Sequence, residues 1–213
     1  MYDEDKGTLL RSIYSGSDGN VEQLKEPIHG FADDYAFLIQ GLLDLYQATF
    51  DEKWIEWADQ LQTKQNELFW DEKRYGYFTA PEDEELVLRL KEDQDGAEPS
   101  ANSISSLNLL RLFAYTGNKK YREMAGKLFS SYETTLTRFP VALPAMTSGL
   151  LMFHKSPLQI IIAGPEKEAK PLIEAVHKLL LPQKILIRAP AENAQETSMI
   201  YKVSIHGVVA LWG

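Results

Sequence analysis

The chain has 213 residues, 44% hydrophobic and 25% charged, which is ordinary globular composition with enough apolar material for a sizeable core. Its formal charge of −9 opposes the phosphate attraction that nucleic-acid and anionic-membrane binders use, so neither partner is expected. The absence of cysteine excludes disulfides, thiolate zinc sites and thiol catalysis from these residues.

Residues 1–20 contain early acids and no continuous apolar run, so they read as neither a signal nor a membrane span. A cytosolic setting is the simplest expectation, with secretion open if a preceding portion carries a signal. Residues 31–50, FADDYAFLIQGLLDLYQATF, are apolar around most of a helical circumference, with Asp33, Gln40, Asp44 and Gln47 on one stripe. This predicts a helix buried on most sides. Asp51 suits the N-cap of a second helix whose Trp54, Ile55, Trp57, Ala58, Leu61, Leu68 and Phe69 form one face. The pair spans 31–69.

Residues 70–98 read differently: WDEKRYGYFTA has the aromatics and short spacing of a β-hairpin, and acids then precede LVLRLK. The helical couple recurs over 100–137. Ser100 caps a nearly uncharged helix at 101–115, Gly117 ends it, and Asn118 caps an amphipathic partner. A nearly uncharged helix followed by an amphipathic one, twice over, is the pattern of inner and outer helical layers. After Pro140 and Pro144 a short apolar helix is expected near 145–154. LQIIIAG (158–164), a helix at 165–181 and KILIR (184–188) then suggest a βαβ crossover.

Three blocks, HGFADDYAFLIQGLLDLYQATFDEKW, LFWDEKRYGYF and LRLKEDQDGAEPSANSISSLNLLRL, stand in the order and spacing of the spermatogenesis-associated protein 20 family. The chain resembles the C-terminal portion of that family over residues 1–190. The resemblance implies a longer protein, in which a thioredoxin-like domain precedes a six-hairpin, glycosidase-like toroid similar to that of N-acylglucosamine 2-epimerases. The expected fold is therefore mainly α: a partial α/α toroid over 1–155 with a β-hairpin excursion, a βαβ element at 156–190, and a divergent tail at 191–213. Met1 is suspect as a natural start, because a ring of six hairpins is longer than this chain. Three departures stand out: Tyr75-Gly76 replaces the family's Gly-Gly, Leu107 stands where relatives can carry His, and the tail lacks the family's Tyr-Val-Cys.

Candidate chemistry falls at the two buried helix starts. His29, Asp33, Asp34 and Tyr35 lie where a loop enters the first, and a helix N-terminus favours anions. Carboxylates there could serve a sugar as acid, base or hydroxyl ligand. The plain alternative is that one aspartate caps the helix and the other is solvated. Lys91, Asp93, Asp95, Gly96, Glu98, Ser100 and Asn102 precede the second buried helix, and Asp95 and Glu98 are the candidates to complete a carboxylate pair. The alternative is a satisfied loop with Gly96 at positive φ, Ser100 as cap and Asn102 bonding backbone. Trp70, Tyr75, Tyr77 and Phe78 could form a platform on which a pyranose stacks, or a core beneath the hairpin.

Ala163-Gly164-Pro165 is placed like a phosphate loop but lacks its glycines, and Glu166 and Glu168 would repel phosphate. His154, His177 and His206 have no ligand spacing, so neither metal nor cofactor is expected. Any activity would be glycosidase- or epimerase-like and absent from this portion alone. The competing expectation is a non-enzymatic scaffold for a thioredoxin-like domain or a protein partner, with the role in spermatogenesis that the family name implies. An incomplete ring would also leave apolar flanks uncovered and favour self-association.

Overall fold

The computed structural model describes residues 2–3, 6–12, 14–15, 21–22, 27–84, 86–190 and 208–212. The described part is mainly helical. Two two-stranded antiparallel pairs come first, β1 (Tyr2–Asp3) with β2 (Thr8–Leu9) and β3 (Tyr14–Ser15) with β4 (Val21–Glu22). Helices α1 (Ala32–Thr49), α2 (Lys53–Phe69), α3 (Ala101–Thr116) and α4 (Lys119–Ser131) then form two hairpins, followed by α5 (Glu133–Arg138) and α6 (Pro144–Lys155). A strand β5 (Leu158–Gly164), a helix α7 (Glu166–His177) and strands β6 (Lys184–Pro190) and β7 (Val208–Trp212) complete the described chain.

Hydrophobic periodicity places the helices. Along α1, Ala32, Tyr35, Ala36, Ile39, Leu42, Leu43 and Tyr46 are buried, and α1 packs on both α2 and α3. Helix α3 lies against α1, α2, α4 and α6, so even its Ser103, Ser105, Ser106 and Asn108 are buried. Buried polar side chains must find partners, and here they tie the helices together. The Gln65 amide donates to the carbonyl of Ala32 and to Ser105 Oγ, each at 3.0 Å. Asn108 donates to the Ala36 carbonyl at 2.8 Å. Between α4 and α2, the Tyr121 hydroxyl donates to Asp59 at 2.6 Å. Helix α6 comes close to α3 at Gly149, where a Cβ would stand 2.6 Å from Ser106 Oγ.

The caps follow local chemistry. Ser100 Oγ accepts from the Ser103 amide, Asn118 Oδ1 accepts from the Lys120 amide, and Gly117 ends α3 with φ +69°. Asp51 acts one residue earlier than expected: α2 begins at Lys53, whose amide donates to the Asp51 carboxylate. Gly96, expected at positive φ, is not left-handed.

The expected β-hairpin at 70–98 is reduced to a single bridge between Trp70 and Tyr77, closed by a turn in which Tyr75 (φ +59°) and Gly76 (φ +84°) are both left-handed. Two glycines suit that turn, and the tyrosine bears a steric cost of roughly 1–2 kcal/mol there. The rest of the segment is irregular and is pinned mainly by its own side chains. Arg89 donates to the carbonyls of Leu68 and Ala80, and Lys91 pairs with Asp71 at 2.8 Å.

At the C-terminal end, β5 and β6 run parallel, joined through α7. Their side chains alternate between two cores. Ile185 and Ile187 face the helical body, and Ile160, Ile162 and Leu186 pack with Ala169 and Val176 of α7. Helix α7 ends at His177 rather than 181, and Leu179 and Leu180 are exposed. Pro182 disfavours helical backbone at Leu181, and the chain must reverse there to bring β6 beside β5. Strand β7, inside the stretch read as a divergent tail, pairs parallel with the other edge of β5 to give the order β6-β5-β7. Residues 191–207 of that tail, with His206, lie outside the described residues.

Candidate functional site

The N-terminal ends of α1 and α3 border one cavity of about 500 Å³, lined by Asp33 and Phe37 of α1 and by the loop Glu92–Ser100 except Asp95. A neighbouring cavity of about 240 Å³ shares Asp33 and Glu92 with it and adds Arg11, Phe31, Thr79, Ala80 and Ala101. Of the four expected carboxylates, Asp33 and Glu98 thus line one space. Asp34 and Asp95 are occupied by the fold.

Asp34, the third residue of α1, reaches back to accept the Phe31 amide at 2.8 Å. This is half of a capping box, since Phe31 has no side-chain oxygen to return the bond. Asp95 is a staple across the loop. One carboxylate oxygen accepts from the Ser100 amide at 2.9 Å, the other from the Ala145 amide at 3.0 Å, and its own amide donates to the Ala142 carbonyl. Both lone-pair directions of Asp95 are therefore engaged at the starts of α3 and α6.

The expected ligand-binding residues divide in the same way. Tyr35 is buried, its hydroxyl accepting from the Leu9 amide at 2.9 Å and its ring edge meeting Phe69. Burial pushes the Tyr35 hydroxyl pKa up. Tyr77 is fully buried, which raises its pKa further, and its hydroxyl donates to Asn66 at 2.7 Å. Asn102 forms a two-way clamp on the same residue: Oδ1 accepts from the Tyr77 amide at 2.7 Å and Nδ2 donates to the Tyr77 carbonyl at 2.9 Å. No surface of Tyr77 or Asn102 is left for a ligand. His29 is exposed, forms a backbone bridge with Leu10, and lines neither cavity.

The aromatic platform is dispersed. Trp70 borders a separate groove between α2 and α4, and Phe78 lies beneath the cations of Arg89 and Lys91 at 4.1 Å and 4.8 Å from its centroid. Lys91, read with the polar loop, is held by Asp71 and the Tyr75 carbonyl. Burial alone would raise the Asp71 pKa, but the bond from Lys91 and the amides of Lys73 and Arg74 outweigh it and lower it to about 2.

The geometry adds Arg11, Phe37 and Glu92, none of them among the expected residues. The Arg11 guanidinium contacts Asp33 at 3.3 Å and Asp34 at 3.0 Å and lies 4.8 Å from the Phe31 centroid. Sequence held no signal for Arg11, which is 22 residues from Asp33. Glu92, whose carboxylate accepts from the Ala101 amide, lies in a motif block and was legible as one more acid before α3. Among the described residues, no group of three or more His, Asp or Glu side chains could hold a metal ion. Nor, among the described residues, is any helix long and apolar enough to cross a membrane. Chemically the cleft offers carboxylate acceptors, one guanidinium and the ring of Phe37.

No family model matches the chain. It is 45% identical over 90% of its length to spermatogenesis-associated protein 20 of Mus musculus, and 44% identical over the same share to that of Homo sapiens. An uncharacterized protein of Caenorhabditis elegans is 41% identical over 77% of the chain. The chain spans only 25% of the length of the mouse and human relatives, matching their C-terminal part. Over the stretch it shares with them, the chain belongs to the spermatogenesis-associated protein 20 family.

Proposed function

We propose that the chain supplies, to a longer protein, an arc of an α/α toroid whose inner helix ends carry a carbohydrate-binding cleft. The observation that carries this reading is the shared cavity of Asp33, Glu98 and Phe37, with Glu92 and Asp93 beside them. Carboxylates accept hydroxyl protons, and an aromatic face accepts the C–H surface of a pyranose ring. The paired inner and outer helices support the toroid, and the exposed Val87, Leu88, Phe139 and Val141 are consistent with further covering structure in the whole protein. Binding rather than hydrolysis is the better fit, because Asp34 and Asp95, two of the four candidate acids, are committed to backbone amides.

That same commitment favours a second reading. In a scaffold, the helix ends would exist to hold the fold, and the chain would support a thioredoxin-like domain or a protein partner, with the spermatogenic role that the relatives' name implies. A thermal-shift screen of the chain against a sugar library separates the two. The cleft reading expects a stabilising sugar whose effect disappears in Asp33→Asn and Glu98→Gln. A library without any such sugar supports the scaffold.

A further inference from the structure

A third cavity, of about 440 Å³, lies between α2 and α4 and shares no lining residue with the acidic cleft. Its walls include Asn66, Glu67 and Trp70 from the last turns of α2, and Asn118 and Glu123 from the first turns of α4. Both asparagines are oriented by the fold. Asn66 Oδ1 accepts from the Tyr77 hydroxyl at 2.7 Å and from Gln62 Nε2 at 3.0 Å, so the amide end is the one left for a ligand. Asn118 Oδ1 is consumed in the same way by capping α4, accepting from the Lys120 amide at 3.1 Å. Each wall therefore presents a fixed N–H donor, and beside them stand the carboxylate of Glu123 and that of Glu67, one oxygen of which is held by Lys64 at 2.7 Å.

Trp70 supplies the apolar element. It is half-buried, and its own shape is held by Tyr77, edge-on at 5.0 Å, and by Tyr75, tilted at 6.2 Å. A preorganised indole costs little conformational entropy when a ligand settles on it. An aromatic surface flanked by planar donors and acceptors suits a ring whose faces are C–H and whose rim is hydroxyl. We propose that this groove is a saccharide-binding subsite, with Trp70 stacking a pyranose and the amides of Asn66 and Asn118 donating to its oxygens. It stands independently of the acidic cleft, because its residues and its aromatic surface are different ones.

The test titrates the 213-residue chain with a panel of neutral trisaccharides, followed by tryptophan fluorescence and calorimetry. One member is expected to bind, and Trp70→Ala to weaken it by about tenfold or more, corresponding to at least ~1.4 kcal/mol. Trp70→Phe keeps an aromatic in the packing and gives a smaller loss if the alanine variant does not fold. Asn118→Ser retains a helix cap while removing the amide donor, and is expected to weaken binding severalfold without lowering the melting temperature. Asp33→Asn should leave this binding unchanged. The assignment is overturned if no trisaccharide binds, if binding survives both Trp70→Phe and Asn118→Ser unaltered, or if it follows Asp33→Asn instead. It is also overturned if a library of extended peptides binds in a Trp70-dependent manner where no sugar does.

Discussion

The starts of α1 and α3 both carry acidic residues, and Asp33 at one and Asp95 at the other meet opposite fates. At α1, Asp33 remains about one-third exposed, sharing the Arg11 guanidinium with Asp34 while lining the cleft. At α3, Asp95 is bound on both oxygens by amides from two helix starts, and Asn102 is sealed against Tyr77. The difference follows from what surrounds each end. Helix α3 is enclosed by four other helices and its first residues are buried, so orphan amides near its start are met by side chains. At the start of α1 the Phe31 and Ala32 amides are met by Asp34 and the Thr79 carbonyl, which leaves Asp33 to a cation and solvent. An acid at a helix start is thus free for ligand chemistry only where the fold does not need it.

The contrast can be broken first at the buried end. Asn102→Ala leaves both the amide and the carbonyl of Tyr77 without partners in the core, and should lower stability by about 3 kcal/mol in urea unfolding, given the cost of orphaned buried groups. A loss below about 1 kcal/mol would mean that water replaces the clamp. Asp95→Ala removes two charge-assisted acceptors and should cost about 2 kcal/mol, with faster amide exchange at Ser100 and Ala145 as the local signature.

A smaller effect tests the pinned loop between these helices by pH. The Asp71 carboxyl is lowered from 3.8 to about 2 in the folded chain, so the folded state binds its proton less readily than the unfolded state does. The resulting stability, at most about 2 kcal/mol, is fully present above the ordinary carboxylate pKa and is lost as pH falls through about 2. Unfolding free energies at pH 5 and near pH 2 should show that loss, and Lys91→Met should reduce it. An unchanged acid dependence in Lys91→Met would remove Lys91 from the explanation.

The smallest effect belongs to the exposed end. Arg11→Gln should change stability by less than about 1 kcal/mol, and the difference should shrink further in high salt, as for exposed ion pairs. A larger, salt-insensitive loss would place the α1 end in the same class as the α3 end.

Much of this architecture was legible locally. The buried character of α1 and α3, the amphipathic α2 and α4, the caps at Ser100 and Asn118, the stop at Gly117 and the β5–α7–β6 crossover all follow from periodicity and near-neighbour hydrogen bonding. These signals act over one or two helical turns. The site was legible only as a region. Asp33 and Glu98 were named, but so were Tyr35, Tyr77, Asn102 and Asp95, whose polar groups the fold uses. Partners such as Ala145 for Asp95, 50 residues away, have no sequence signature.

The sequence by itself determined which helices are buried, where they start and stop, and that acids gather at two of those starts. Only the tertiary structure decided which acids remain available, because that depends on which orphan backbone groups come within about 3 Å of each carboxylate. It also placed Trp70 away from the acids and in a groove of its own, since the turn at Tyr75 and Gly76 pairs Tyr77 back with Trp70 at the end of α2.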